Sequence, residues 1–119
     1  MAKFDFRGQK VINQVVAETI GTVNFGGVQN KDELIIELRK LISEVNKATQ
    51  EGIVNKEVST GITLHIEKAI FETEKPEPKK KAVIENIEGA KSLLDGVTSA
   101  STLISALITA AKIAGSLFL

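Results

Sequence analysis

The side chains that could perform chemistry are few in this chain of 119 residues. It contains one histidine, His65, and no cysteine. A metal centre or a general acid–base pair needs several such groups held together, and the surroundings of His65 add only Glu and Thr side chains. We therefore expect His65 to lie on a helix face, and we expect no catalytic residue, no metal ligand, no cofactor and no enzymatic activity.

The glycine-rich segment 21–27, GTVNFGG, precedes Lys31. A phosphate-binding loop places a Lys and then a Ser or Thr at the start of the following helix, so that backbone amides and the Lys can hold a phosphate. Lys31 has no such hydroxyl neighbour. The glycines therefore indicate a turn and not a nucleotide site.

Charged residues cluster around the two prolines, Pro76 and Pro78. Glu72, Glu74 and Glu77 are what a solvated linker would carry, so we assign them no acid–base role. The run Lys79–Lys81 lies where a helix should begin, although a helix N-terminus favours anions. We interpret these lysines as a solvated face, with a contact to acidic partners or lipid headgroups as the alternative.

The overall charge argues against nucleic acid as a partner. Fifteen basic residues balance 15 acidic ones, and the isoelectric point is about 6.6, whereas nucleic-acid-binding domains usually carry a basic surface. Residues 96–119 contain one charged side chain, Lys112. The N-terminus has no apolar core of the kind found in signal peptides, so we expect a cytoplasmic protein, with membrane association as the alternative.

The first 30 residues have the composition of β-structure. β-Branched residues alternate through residues 11–25, which predicts two short strands separated by a turn near residues 17–19. Two strands alone are marginally stable in water, so they must pack on the helices of the same chain or pair with strands of other chains. The residues predicted to pair between chains are Val11, Asn13, Val15, Ile20, Val23 and Phe25.

A first helix is predicted from Lys31 to about Glu51. Asn30 and Glu33 have the spacing of a capping box at its start, and Gly52 ends it. Its apolar residues repeat every three or four positions and form a stripe comprising Leu34, Ile35, Leu38, Leu41, Ile42 and Val45. Such a stripe packs equally well inside the chain or against a second copy.

Two further helices are predicted on either side of the prolines. Residues 53–75 fit both a strand and a helix in part, but their length and continuing period favour a helix, even though Gly61 weakens it. Pro76 and Pro78 force a break, because a residue before proline avoids helical backbone angles. The next helix begins at Pro78 or Lys79 and runs to Asp95.

The last helix, predicted from Val97 to Phe118, is apolar over most of its surface. Its 21 residues from Ser99 would extend about 31 Å, close to the ~30 Å hydrocarbon core of a bilayer. We favour burial in a bundle or assembly over membrane insertion, because Lys112 and the many small residues insert poorly. The apolar face comprises Leu103, Ile104, Leu107, Ile108, Leu117 and Phe118, and a polar seam comprises Thr102, Ser105, Thr109, Lys112 and Ser116.

Three segments resemble small modules of bacterial conflict, or immunity, systems. They are residues 6–14, FRGQKVINQ, residues 23–29, VNFGGVQ, and the segment 74–78, EKPEP, ahead of a helix and a hydrophobic tail. In these modules a Gly/Asn/Gln β motif precedes helices, and the partners include caspase-like, TIR or NTPase proteins. The resemblance implies a non-catalytic adaptor or effector module that self-assembles through its N-terminal element.

The sequence therefore predicts a mainly α fold, in which a short N-terminal β-rich segment is followed by three or four helices that form an oligomeric bundle. We divide the chain into a β-rich assembly segment (1–30), a helical hairpin (31–75), and a proline-bounded helix with a hydrophobic C-terminal helix (76–119). The predicted function is non-catalytic self-assembly as a homo-oligomer or filament, with another defence-system protein as a further partner. The alternative is a membrane-permeabilising effector whose C-terminal helix enters a bilayer.

Overall fold

The computed structural model describes Val23 and residues 25–118, which fold mainly as α-helices. The four helices are α1 (Lys31–Gln50), α2 (Lys56–Glu74), α3 (Lys80–Leu93) and α4 (Ser101–Leu117), and 3-10 turns at Phe25–Gly27 and Thr98–Ala100 precede α1 and α4. Residues 25–118 contain no β-strand. The prediction of a mainly helical fold is confirmed, and most of the predicted β segment lies outside the described residues.

The start of α1 follows the predicted capping box with one difference. The Asn30 side chain accepts a hydrogen bond from the Glu33 amide at 2.9 Å. The Glu33 carboxylate reaches back to the amide of Gln29, at 2.7 Å, and not to that of Asn30. The first contact satisfies one of the amides that the first helical turn leaves without partners. The second satisfies the amide of the residue before the N-cap.

The ambiguous segment after Gly52 is helical from Lys56. Its N-terminus is capped by Asn55, whose side-chain oxygen accepts from the Val58 amide at 2.8 Å. Lys75 then takes extended backbone angles ahead of Pro76, so the predicted proline break is confirmed.

Other helix ends differ from their predicted positions by a few residues. α3 ends at Leu93 and not at Asp95, because a turn through Leu94 and Asp95 leads to Gly96, whose φ of +90° favours glycine. α4 begins at Ser101 and not at Val97, because Val97–Ala100 form a 3-10 turn closed by the Ala100 amide on the Val97 carbonyl. Phe25, predicted in a strand, lies in a 3-10 turn closed by the Val28 amide on its carbonyl, where Gly26 and Gly27 interrupt extended structure.

The helices pack in chain order, with α4 returning to contact α1. Their short connections make neighbouring helices antiparallel. Each helix contributes one apolar stripe to a single core. The buried apolar residues of the helices are Leu34, Leu38, Leu41, Val45 and Ala48 of α1, Ile62, Ile66, Ala69 and Ile70 of α2, Val83, Ile87 and Ala90 of α3, and Leu103, Leu107, Ala110 and Ala114 of α4.

Two glycines set the close approach of α2 and α3. A methyl group built on Gly61 would lie 2.8 Å from Leu93 Cδ1, and one built on Gly89 would lie 2.8 Å from His65 Cε1. Each helix therefore inserts a side chain into the space that a glycine leaves on the other. This packing explains why α2 accepts Gly61, whose helix propensity is about 1 kcal/mol worse than that of Ala.

Replacing Gly89 with Ala tests this packing. The substitution would ordinarily stabilise a helix by about 1 kcal/mol, but here the His65 ring must move, so we expect a net loss of about 1–3 kcal/mol in the free energy of unfolding. Urea unfolding of Gly89→Ala, His65→Ala and the double variant measures the coupling energy between positions 65 and 89. In the His65→Ala background, Gly89→Ala should cost much less free energy of unfolding than it costs in the wild type.

Gly115→Ala provides the matched control, since its new methyl group would meet Ile84 Cδ1 at an ordinary 3.8 Å. We expect this variant to be as stable as the wild type or slightly more stable. Equal stabilisation by Gly89→Ala would contradict the packing described.

Candidate assembly surfaces

The apolar stripe of α1 is used inside the chain. Leu34, Leu38, Leu41 and Val45 are fully buried, and Ile35 and Ile42 are partly buried against the same core. Of the two arrangements that the sequence left open for this stripe, the structure contains the internal one. The α1 stripe is therefore occupied before any second copy binds.

Two of the residues predicted to pair between chains are core residues. Val23 and Phe25 are 4% and 3% exposed, and the turn that Phe25 begins contacts α4. The other four predicted residues, Val11, Asn13, Val15 and Ile20, lie outside the described residues. Val23 and Phe25 are thus part of the helical core.

The outer surface of α4 carries the predicted polar seam. Thr102, Ser105, Thr109, Lys112 and Ser116 are all exposed. The Thr109 hydroxyl donates to the Ser105 carbonyl at 3.0 Å, and the Ser116 hydroxyl donates to the Lys112 carbonyl at 3.3 Å. The hydroxyls of Thr109 and Ser116 are thus satisfied within the helix, while Lys112 adds a charge to the seam.

The predicted apolar face of α4 is only partly buried. Leu103 and Leu107 are core residues, and Ile104, Leu117 and Phe118 pack partly against the core. Ile108 does not belong to this face, because it is 39% exposed and lies beside Thr109 on the outer surface. Residues 98–117 form a helical segment long and apolar enough to cross a membrane, and 28% of its apolar window is buried.

The outer surface of α2 carries an exposed apolar pair that the sequence analysis did not identify. Leu64 is 51% exposed and Phe71 is 72% exposed, seven residues further along. A groove of about 590 Å³ between α1 and α2 runs beside Leu64. The seven-residue spacing of Leu64 and Phe71 could have indicated a second apolar face from the sequence, because both residues lie outside the buried stripe formed by Ile62, Ile66 and Ala69.

His65 lies on α2 and contacts residues of α3. Its ring lies over Gly89, and its Nδ1 is 3.4 Å from Asn86 Oδ1. The side-chain Nδ2 of Asn86 donates to the Ala82 carbonyl at 3.0 Å. Within the described part of the chain, no group of three or more His, Cys, Asp or Glu residues could hold a metal ion. The ring packs two helices together, as the helix-face interpretation predicts.

Glu72 makes two electrostatic contacts at the α2–α3 connection. Glu72 accepts from the Lys79 amide at 3.0 Å and pairs with Lys75 Nζ at 3.0 Å. Both contacts lower the pKa of Glu72, the hydrogen bond from the Lys79 amide being the larger cause. A carboxylate from α2 thus supplies the negative charge that the N-terminus of α3 favours.

α1 is tied to the same end of the bundle. Lys31 Nζ donates to the Lys75 carbonyl at 3.1 Å, and Arg39 pairs with Glu74 at 3.1 Å. These exposed contacts contribute little stability individually. They join α1 to the C-terminal end of α2.

No protein-family model, curated protein or solved structure matches the chain.

Glu72→Gln tests the contact at the start of α3. Because the folded state lowers the pKa of Glu72 below its ordinary value of 4.5, the carboxylate stabilises the fold above that pH, and this contribution is lost as the pH falls through the lowered pKa. We expect Glu72→Gln to melt at a lower temperature than the wild type at pH 7. The difference should shrink as the pH falls below 4.5.

Glu77→Gln removes the same charge from an exposed linker position and is the control. Thermal melts from pH 7 to pH 3, followed by circular dichroism, measure both variants. A constant difference between the wild type and Glu72→Gln over this range would contradict the assigned contact.

Proposed function

We propose that this protein is a non-catalytic self-assembling module whose N-terminal segment joins copies of the helical bundle. The observation that supports the proposal best is the burial of Val23 and Phe25 in the core. The β-rich segment ends directly at these anchors. Strands formed by residues 11–22 could therefore pair between chains while each bundle stays folded.

The composition of this segment suits intermolecular pairing. It is rich in β-branched residues and carries Asn and Gln, which form side-chain ladders in stacked strands. We assign pairing to Val11, Asn13, Val15 and Ile20 and anchoring to Val23 and Phe25. Repetition of one interface then gives a closed ring or an open filament, depending on its geometry.

The biological setting that we propose is a bacterial defence system. Its basis is the resemblance of residues 6–14, 23–29 and 74–78 to immunity modules that combine a Gly/Asn/Gln β motif with helices. In such a system the assembly would act as an adaptor or effector, with another defence-system protein as its partner.

Strand pairing predicts that Val11→Lys/Val15→Lys reduces the mass of the assembly. Two lysines placed in a stacked strand would repeat in every copy, and like charges would then face each other at close range. Light scattering behind a sizing column should give a smaller particle mass than for the wild type. An unchanged particle mass would refute the strand-pairing mechanism.

Gln9→Lys/Thr19→Lys adds the same charge at polar positions and should assemble like the wild type. Val23→Lys should behave differently from both, because Val23 is 4% exposed and a buried unpaired charge destabilises the fold. Its helical circular dichroism should melt at a lower temperature. This comparison separates loss of assembly from loss of folding.

Membrane permeabilisation is the second candidate function, and the apolar segment Thr98–Leu117 favours it. In that mechanism the polar seam of α4 would face the centre of an oligomer, and Ile108, 39% exposed, would face lipid. Dye release from liposomes at micromolar protein tests it. An absence of leakage would count against this function and leave the assembly proposal unaffected.

A further inference from the structure

The outer stripe of α2 combines apolar and charged side chains in a symmetric order. Along this stripe, which we define as Thr60, Leu64, Glu67, Lys68 and Phe71, every residue is exposed. Residues three, four and seven apart lie on one side of a helix, so the five share a common face. Leu64 and Phe71 lie at equal distances in sequence from the midpoint between Glu67 and Lys68.

The apolar side chains of the outer stripe of α2 are exposed, and its two charged side chains have no ion-pair partner among the other described residues. Phe71 is the most exposed large apolar side chain among the described residues, at 72%, and Leu64 is 51% exposed. Glu67 and Lys68 make no ion pair with any other described residue. By contrast, the neighbouring Glu72 and Glu74 are engaged with Lys75 and Arg39.

We propose that the outer stripe of α2 binds the same stripe of a second copy, with the two α2 helices antiparallel about a twofold axis between Glu67 and Lys68. This inference rests on the proposed self-assembly and adds a second interface to it. In this register Leu64 of each copy faces Phe71 of the other. Glu67 of each copy likewise faces Lys68 of the other.

Charge complementarity identifies the occupant as a second copy. A twofold axis brings a surface against itself, so a charge on a self-complementary surface is matched when the axis exchanges its position with that of an opposite charge. Glu67 and Lys68 meet this requirement, since the axis between them exchanges their positions. The stripe has no net charge, which disfavours an anionic membrane surface or a nucleic acid as the occupant.

The shape of the surface suits the same arrangement. The groove between α1 and α2, about 590 Å³ in volume, is lined by Leu64 and Glu67 of the stripe and by Asn46 and Thr49 of α1. A Phe71 ring from the second copy would enter beside Leu64 and be removed from water. Two separate self-interfaces on one chain, this one and the N-terminal segment, would extend dimers into a polymer.

The absence of native cysteine permits a test of the register by disulfide cross-linking. Leu64→Cys and Phe71→Cys variants are purified separately, mixed and oxidised. In the mixed pair the two cysteines face each other, while the remaining Phe71 and Leu64 keep one apolar contact. We expect a disulfide-linked dimer of twice the chain mass on non-reducing gels of the mixture.

Each variant oxidised alone is the control. Identical cysteines would lie seven residues apart along the helix pair, about 10 Å at 1.5 Å per residue, whereas a disulfide requires Cα atoms within about 7 Å. We therefore expect no linked dimer in either sample. Equal linking in all three samples, or none in the mixture, would overturn the proposed interface.

The experiment is run on full-length chains carrying Val11→Lys/Val15→Lys. Assembly through the N-terminal segment then cannot bring the cysteines together. Cross-linking in this background supports the α2 interface whatever happens at the N-terminus. If the lysine pair leaves the wild-type mass unchanged, the strand-pairing proposal fails while the cross-linking result still stands.

Charge reversal supplies an independent readout in the same background. Glu67→Lys alone places like charges across the axis and should raise the concentration at which dimers form in sedimentation velocity. Glu67→Lys/Lys68→Glu restores opposite charges and should return that concentration toward the value of the unreversed chain. Equal dimerisation by the two variants would contradict the register.

Discussion

Burial of one apolar stripe from each helix in a single core is the constraint on which the rest of this structure depends. The α1 stripe, the most regular pattern in the sequence, is fully buried at Leu34, Leu38 and Leu41. This internal use removes the buried stripe of α1, but not its outer face, from the surfaces that a second copy can reach. The large apolar residues that stay exposed among the described residues are Ile36 of α1, Leu64 and Phe71 of α2, Leu93 of α3 and Ile108 of α4.

The α2–α3 contact shows how small residues and polar contacts shape the bundle. Gly61 and Gly89 admit Leu93 and His65, so the two helices approach closely through reciprocal insertions. Glu72 then bridges the end of α2 to the first amide of α3. With these contacts, His65 and Glu72 both have structural roles in the bundle.

Helical periodicity made most of the fold predictable. Leu34, Leu38 and Leu41 recur at helical spacing, and Pro76 breaks the helical pattern. The first helix and the break after α2 could therefore be predicted from the sequence. Helix ends were less predictable, because the turn that leads to Gly96 depends on local hydrogen bonds. The insertion of His65 at Gly89 could not be predicted, since it depends on which face of α3 meets α2.

The candidate surfaces were predictable only in part, for a different physical reason. Periodicity identifies the residues that a helix buries, and an exposed apolar residue such as Phe71 becomes apparent only after the buried face is known. Phe25 illustrates the converse, because the alternation indicated a strand, whereas Phe25 begins a 3-10 turn with Gly26 and Gly27 and is buried in the core. Alternation therefore does not show which residues of such a segment are buried in the core of their own chain.

The most direct test of self-assembly is the mass of the wild-type protein in detergent-free solution, measured by light scattering over a range of concentrations. The chain has a mass of 12.8 kDa. Two self-interfaces predict a mass of several chains that increases with concentration, because each added copy exposes a further interface. A mass of one chain at every concentration would contradict the account.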